Sequence, residues 1–446
     1  MTDTIKVICE NLGNELDIPM GTSLLEISRR LTSGPHPFLA AFVNNRVKEL
    51  NYKIYTPVTI RFIDITSFAG IRVYQRTSWF ILQKAVRDLY PGQTLHIRHS
   101  MGQSGFYCEI EGIDPLTREA AAALEERMRA IVAADLPIIR TKVLTEEVRA
   151  RYAEQGFDDK IALLDTRPRL YSELYTLGDL PGYFYGSLAP STGYITRFGI
   201  EPYYRGFYLA LPLRTSPEEL HKHVSQEKMF GIFREYQSWV ALMGVPTIGA
   251  VNARALAGDA GGMIKIAEAF HERKFAEVAD AIQEAHRTRG VRMVLISGPS
   301  SSGKTTSAKR LGLQLGVLGL RPVMISLDDY FVEREKTPRD ENGQYDYEAL
   351  EAIDLELFND HLHRLLQGES VDIPRYDFIT GRRTQHDTPL TLDERSILII
   401  EGIHGLNPRL TPSVPDAVKF KIYISCFTSV AMDNLSRIAT TDNRLL

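Results

Sequence analysis

Apolar and polar positions change their period several times along the chain, and each change predicts an element. Residues 5–10, IKVICE, are rich in β-branched residues and predict a strand. Asn11-Leu12-Gly13-Asn14 is a turn signal, and Glu15 to Pro19 predicts a second strand. Ser23 with Glu26 three residues later makes a capping-box pattern ahead of LLEISRRL, where Leu24, Ile27 and Leu31 fall at helical spacing. Phe38 to Val43 and Val58 to Ile63 predict further strands, completing a small ββαββ unit that ends near Ser67.

Residues 70–213 read as a second unit. A helix is expected from about Ser78 to Leu89, stopped by Tyr90-Pro91-Gly92. Alternating strand material lies at 104–112, a long polar helix with apolar spacing at 117–134, and another helix at 144–156 with Gly156 as its stop. Residues 182–212 are turn-rich and aromatic. Residues 216–287 predict helices: Pro217, Glu218 and Glu219 suit a first turn, 263–286 carries apolar residues at helical spacing, and the Gly- and Ala-rich 244–262 marks a break. Beyond residue 290 the runs VRMVLIS (291–297), RPVMISL (321–327), SILIIEG (396–402) and KFKIYIS (419–425) are apolar nearly throughout, as strands buried on both faces are. Helical patterns fall between them, which implies a mostly parallel sheet.

Composition narrows this. At 446 residues, the chain is long enough for about three domains. A hydrophobic share of 44% and a charged share of 24% are ordinary for a soluble globular protein. Lys plus Arg is 52 and Asp plus Glu is 56, a net charge of −4, which disfavours a dedicated nucleic-acid binder while leaving a local basic face open. Cys9, Cys108 and Cys426 are far apart with no CxxC, so neither a disulfide framework nor a Cys-rich zinc site is expected, and free thiols fit a reducing cytoplasm. No stretch of 18 apolar residues predicts a membrane span, and MTDTIKVICENLG lacks the basic and apolar regions of a signal peptide.

The sharpest chemical signal is GPSSSGKT at 298–305, which matches GxxxxGK[ST] between a predicted strand and a predicted helix, Thr305 to Leu318. Gly298 and Gly303 let the backbone curl around Pro299 so that the N–H groups of Ser300, Ser301, Ser302 and the residues up to Thr306 face inward. The helix N-terminus adds positive potential. Lys304 can reach the β and γ phosphates of a nucleoside triphosphate, and Thr305 can ligate Mg²⁺. Asp328, in SLDDYF, lies just past a strand end, where ligand groups gather in open parallel sheets. It can accept the proton of a substrate hydroxyl while touching the metal. Asp329 competes for that role, and a turn cap is the plain alternative for either. Glu401 closes the apolar run ILIIEG in the manner of a Walker B acid and would hold Mg²⁺ directly or through water; a solvent-facing Glu is its plain alternative.

Five motifs occur in order: GPSSSGKT, SLDDYF, YDYEALEAID (345–354), IPRYDF (373–378) and ILIIEGIHGL (397–406). Over roughly residues 288–446 the chain thereby resembles the uridine kinase and phosphoribulokinase family of P-loop kinases. The resemblance implies transfer of the γ-phosphoryl group of ATP, with Mg²⁺, to a sugar hydroxyl, commonly the 5′-hydroxyl of a nucleoside. It places Asp328 on the family's catalytic carboxylate, Glu401 on its metal-linked acid, Asp346 on the acid that binds ribose hydroxyls, and Tyr376 and Phe378 on aromatics that pack against the base. Read from the residues alone, Asp346 can accept two vicinal hydroxyls or be a solvated loop acid, and Tyr376 and Phe378 can flank a flat base or be core. Two departures stand out. Where uridine kinases have a His shortly after YDF, TGRR at 380–383 has Gly381, and His386 is off register, so the base is left open. Arg382 and Arg383 either supply other substrate contacts or are surface charge. The chain stops at Leu446, just after TTDNRLL and before the family's lid arginines, and the expectation is a fragment that binds ATP but turns over poorly.

Residues 1–67 resemble the TGS domain, a ubiquitin-like module at the front of threonyl-tRNA synthetases. Residues 70–215 resemble the second additional domain of those enzymes, which carries aminoacyl-ester editing. That editing site uses an HxxxH and a later Cys and His near a PSTG-like segment. Here Arg76 and Phe80, then Phe184 and Leu188 ahead of Pro190-Ser191-Thr192-Gly193, take those four places. Water activation needs polar groups there, so editing is not expected, and an interaction or regulatory role is. His221 with His223, and His361 with His363, are HxH pairs that would point to different helix faces, so no metal is expected. His96 and His99 read as strand or loop surface.

The expectation is therefore a multidomain α+β and α/β protein: a TGS-like β-grasp domain (1–67), an editing-like α+β domain (70–215), a helical connector (216–287) and a P-loop NTPase parallel sheet (288–446). Its leading function is an ATP- and Mg²⁺-dependent kinase of a small-molecule nucleoside, in the cytoplasm and off the membrane. A second reading moves the acceptor to a phosphorylated sugar, favoured by Arg375, Arg382 and Arg383. A third is an RNA- or ribosome-associated regulator that uses ATP as a switch.

Overall fold

A computed structural model of the chain describes residues 4–31, 34–102, 105–220, 223–385, 389–427, 430–438, 442 and 444. The chain forms two compact units, Met1–Ala257 with Ser429–Ile438, and Gly258–Thr428 with Ala439–Leu446.

The front unit opens with a five-stranded sheet in the order Asn14–Pro19, Thr4–Cys9, Val58–Ile63, Ala40–Val43, Arg46–Glu49. Thr4–Cys9 runs parallel to Val58–Ile63, and the other pairs are antiparallel. Alternate residues Val7, Cys9, Ile60 and Phe62 turn inward onto Leu24 and Ile27 of the helix Leu24–Ser28. Ser23 accepts from the Glu26 amide and the Glu26 carboxylate takes the Ser23 amide, the reciprocal capping box that the sequence predicts. The next helix is longer than expected. It runs Phe68–Leu89, because Ser67 caps the Gly70 amide ten residues before the predicted start near Ser78. It packs on the helix Arg118–Ala133 and on a four-stranded antiparallel sheet, Gly199–Tyr203, Gly206–Ala210, Gly105–Ile110, Leu95–Met101. A three-stranded sheet, Ile138–Leu144, Tyr171–Leu177, Leu180–Gly182, completes this part.

Between 216 and 290, helices form at Glu227–Leu242, Ile248–Leu256 and Ala260–Arg289, the first two in the front unit and the third in the rear one. Pro217 to Glu219 do not open a helix; Glu218 is instead drawn to Arg197 and His36. The expected break at 244–262 contains the helix Ile248–Leu256, capped by Thr247.

The rear unit is built on a parallel sheet in the order Arg321–Ser326, Ser396–Glu401, Met293–Ser297, Lys419–Tyr423. Val294, Ile296, Ile397 and Ile399 face Ala279, Ile282, Leu311 and Leu315 of two helices. Met293, Leu295, Leu398 and Ile400 face Tyr330, Phe358 and Leu362 on the other side. Burial on both faces is why these strands read as unbroken apolar runs. The fold class thus holds: mixed sheets and helices in front, a parallel sheet with helices on both faces behind. Among the described residues no helix is long and apolar enough to cross a membrane.

Candidate active site

The strand Met293–Ser297 ends in GPSSSGKT, and the helix Lys304–Val317 begins at once. Gly298 is required by close approach: a Cβ there would lie 2.1 Å from the Ile424 carbonyl oxygen and 2.8 Å from Ser302 Oγ. Ser302 is buried, and its Oγ has no hydrogen-bond partner among the described residues. Lys304 Nζ folds back over the loop and donates to the Pro299 carbonyl at 3.1 Å. Such a lysine is held by one neutral acceptor that an anionic ligand can replace.

Three strand ends meet beside this loop. Thr305 Oγ1 donates to Glu401 Oε1 at 2.9 Å, and Ser326 Oγ donates to the same oxygen at 3.2 Å. Asp328 lies two residues past Ser326, in the 3₁₀ turn Leu327–Tyr330, and is exposed. Lost hydration on its inner side, and then the Glu401 charge, hold its carboxyl above the usual Asp range, while Lys304 opposes them. Its carboxylate makes no hydrogen bond or ion pair with the described residues. Asp329 differs: its Oδ1 accepts the Tyr376 amide at 3.3 Å, tying the strand Pro374–Asp377 to the 327–330 turn. Among the described residues no three His, Cys, Asp or Glu side chains gather as metal ligands. The Thr305 hydroxyl and Glu401 carboxylate still suit Mg²⁺, which takes one or two side-chain oxygens and keeps its waters and phosphate ligands.

Asp346 has one carboxylate oxygen engaged. Its Oδ1 caps the Glu348 and Ala349 amides at 2.9 and 3.1 Å, the turn-cap role of a loop acid. Tyr376 is buried with its hydroxyl unpartnered among the described residues, and Phe378 is 53% exposed. Their rings lie 5.0 Å apart, and Phe331 adds a third ring 5.6 and 5.8 Å from them. Phe331, and Tyr347 at 5.9 Å from it, were missed from sequence, though both sit inside quoted motifs. Arg383 pairs with Asp354 at 2.9 Å, and its Nη1 is buried without a partner. It is therefore ion-paired through one nitrogen rather than free surface charge. Arg375 and Arg382 are exposed. Gly381 has φ +70°, and a Cβ would stand 2.8 Å from Arg334 Cβ, so the hairpin excludes a His at this place on backbone grounds. His386 and His221 lie outside the described residues.

The four editing-like places also converge, with different chemistry. Phe80 and Phe184 are buried edge to face at 5.1 Å, and Leu188 is buried. Arg76 Nε donates to the Ser187 carbonyl at 3.1 Å. Burial lowers the Arg76 guanidinium to about 10, so it stays protonated at neutral pH and cannot act as a base. His99 corrects the surface reading. It is 2% exposed, boxed by Tyr107, Phe230 and Phe233. His361 is likewise buried, bonded to the Tyr330 hydroxyl at 3.1 Å, while His363 on the same helix is exposed.

Comparison with known proteins follows the same division. The sequence model of the Phosphoribulokinase / Uridine kinase family matches residues 293–437. Over 190 residues the chain is 30% identical to Threonine–tRNA ligase of Symbiobacterium thermophilum, covering 42% of this chain and 29% of that protein. Over 203 residues it is 29% identical to Threonine–tRNA ligase 1 of Bacillus subtilis, covering 44% and 31%. The chain thus spans 29–31% of the length of these relatives. A solved structure titled "Possible Uridine Kinase" from Bacillus stearothermophilus is similar at 27% identity and TM-score 0.28, over 34% of this chain and 79% of that one. D-glycerate 3-kinase from Cryptococcus neoformans is similar at 18% identity and TM-score 0.22, over 29% and 52%. Residues 293–437 carry the pattern of the phosphoribulokinase and uridine kinase family, joined to an N-terminal region similar to part of the threonine–tRNA ligases.

Proposed function

We propose that the rear unit is an ATP-dependent phosphotransferase with a sugar-type alcohol acceptor, and that the acceptor is the 5′-hydroxyl of a nucleoside. The observation that carries the reading is the convergence of Lys304, the bonded set Thr305–Glu401–Ser326 and the unpaired Asp328 at the carboxyl ends of parallel strands. The family match over 293–437 supports it.

In this reading the loop amides, the helix N-terminus and Lys304 bind the triphosphate. Thr305 and Glu401 would hold Mg²⁺, which when bound shares the phosphate charge. Asp328 accepts the proton as the acceptor oxygen bonds to the γ-phosphorus and the bond to the ADP oxygen breaks. A carboxyl lifted above the usual Asp range is a stronger base than an ordinary one. Phe331, Tyr376 and Phe378 offer aromatic faces to a base, and the second oxygen of Asp346 remains for a sugar hydroxyl. The Arg383–Asp354 pair weakens the phosphosugar alternative, because it neutralises one of the three arginines that would favour it.

ADP release measured against nucleosides, free sugars and phosphosugars tests this. Nucleoside-dependent turnover is expected. Turnover on phosphosugars alone moves the acceptor, and ATP binding with no acceptor-dependent ADP release defeats the assignment.

A further inference from the structure

A cavity of about 380 Å³ lies in the front unit, where the helix Phe68–Leu89 ends beside the end of the helix Thr145–Gln155. Its volume is within the ~300–1,000 Å³ of small-molecule sites, and its wall includes none of Arg76, Phe80, Phe184 and Leu188. Gln83 and Arg87, one turn apart on the first helix, both line it. Gln83 is 5% exposed, and its Oε1 is buried with no hydrogen-bond partner among the described residues. Arg87 is held in place. Its Nη1 donates to the Gln155 carbonyl at 3.2 Å, its Nη2 donates to Gln155 Oε1 at 2.7 Å, and the guanidinium lies 5.6 Å from the centre of the Phe157 ring. Both acceptors are neutral, so the charge meets no carboxylate among the described residues, and the other N–H groups of the fork remain for a ligand.

Asp159 brings the opposite charge to the same wall, with Oδ2 accepting the Asn434 amide at 2.7 Å. Lys160 beside it does not neutralise it. Lys160 Nζ donates to Asp433 Oδ2 at 2.9 Å, with the two side chains 4% and 1% exposed. That pair cancels itself and leaves Asp159 as a net negative charge on the wall. Burial lifts the Asp159 carboxyl above the usual Asp range, with Lys160 opposing the shift and Asp433 adding to it. The cavity therefore presents a cation without a carboxylate, a carboxylate without its own cation, and an amide oxygen without a donor. A simple anion satisfies Arg87, is repelled by Asp159 and brings Gln83 nothing. A simple cation does the reverse. A small zwitterion answers all three: its carboxylate suits the guanidinium fork, and its ammonium group has N–H donors for both Asp159 and Gln83 Oε1.

We infer that this cavity is a binding site for a free α-amino acid, with Arg87 taking the carboxylate and Asp159 and Gln83 taking the ammonium group. The site is built by the front unit alone and stands apart from the phosphotransferase reading.

The test uses the full chain and the common L-α-amino acids one at a time, read by thermal shift and calorimetry. For each that binds, the amino-acid amide and the deaminated acid serve as controls. Binding of at least one amino acid is expected, with both controls weaker by about tenfold or more, the scale of one lost charge-assisted contact. Arg87→Met keeps an unbranched stem beside Phe157 and should weaken binding by about ten- to a hundredfold. Gln83→Leu separates a ligand contact from a packing role. Removing an unpaired buried oxygen should raise the Tm of the ligand-free chain, while affinity falls by about tenfold. Absence of binding by every amino acid overturns the inference, as does a deaminated acid that binds as tightly as its parent. Amino-acid binding that survives Gln83→Leu and Arg87→Met unchanged overturns it too, by placing the ligand elsewhere. If Arg87→Met fails to fold, Gln83→Leu decides alone: affinity lost supports the site, affinity kept removes it.

Discussion

The phosphate loop and the cluster around Arg76 are both places where the fold draws distant residues together, and they differ in what is left over. In the rear unit hydrogen-bonding capacity remains. Among the described residues Ser302 Oγ is buried and unpartnered, and the Asp328 carboxylate has no hydrogen-bond or ion-pair partner. In the front unit Phe80, Phe184 and Leu188 fill the space, Arg76 bonds a carbonyl, and Thr77 Oγ1 accepts the Ala189 amide at 2.9 Å. Buried polar groups without partners are costly unless a ligand supplies them. The rear loop thus keeps capacity that a ligand could meet, while the places around Arg76 are filled by apolar packing.

The largest effect that can break this contrast is at Asp328. Asp328→Asn keeps shape and removes the base. Phosphoryl transfer should fall by about 10²–10⁴, with ATP binding by calorimetry retained. Unchanged transfer would pass the role to Asp329, whose carboxylate already holds the Tyr376 amide.

The front-unit counterpart is Phe80, which is fully buried against Phe184. If the pocket is packed core, Phe80→Ala should lower stability by about 3–5 kcal/mol in urea unfolding. A cost below about 1 kcal/mol would mean that the space is an open pocket and that the comparison fails at its second term.

The sequence made the phosphate loop and its strands legible because both are local. The loop needs its residue types within eight positions, and the four parallel strands lie within two residues of their predicted bounds. The Ser23–Glu26 box was legible for the same reason. Non-local facts were not. The helix Phe68–Leu89 starts early at the Ser67 cap, where the close approach to the Asp64 carbonyl leaves Gly70 no room for a side chain, a contact that no helical period announces. Phe331 joins Tyr376 and Phe378 only through the fold. Arg383 looked like surface charge until Asp354 was placed beside it. The buried Lys160–Asp433 ion pair joins residues 273 positions apart.

The smallest effect sharpens the contrast by pH. His99 lies in an alternating strand and reads as surface, yet it stacks on Phe233 at 4.0 Å with its Nδ1 unpartnered. Arg437 lies over the same Phe233 ring, and Arg98, paired with Glu109, is the other cation in range. Burial, then Arg437 and Arg98, push the imidazole down to about 3. The folded chain therefore keeps His99 neutral while the unfolded chain protonates it below about 6.5. Its contribution is full above that pH and is lost as pH falls from 6.5 toward 3, by at most about 1.4 kcal/mol per unit, or about 2 kcal/mol by pH 5. His99→Phe keeps the stacked ring and removes the titration. Urea unfolding of the two proteins at pH 7 and pH 5 should show the acid loss in the variant smaller by about that amount, with the residue left to His96, pushed down to about 4 by its own burial. Equal losses in both proteins would place His99 in water, and the front unit would then hold an accessible titrating group where the packing argument requires a closed one.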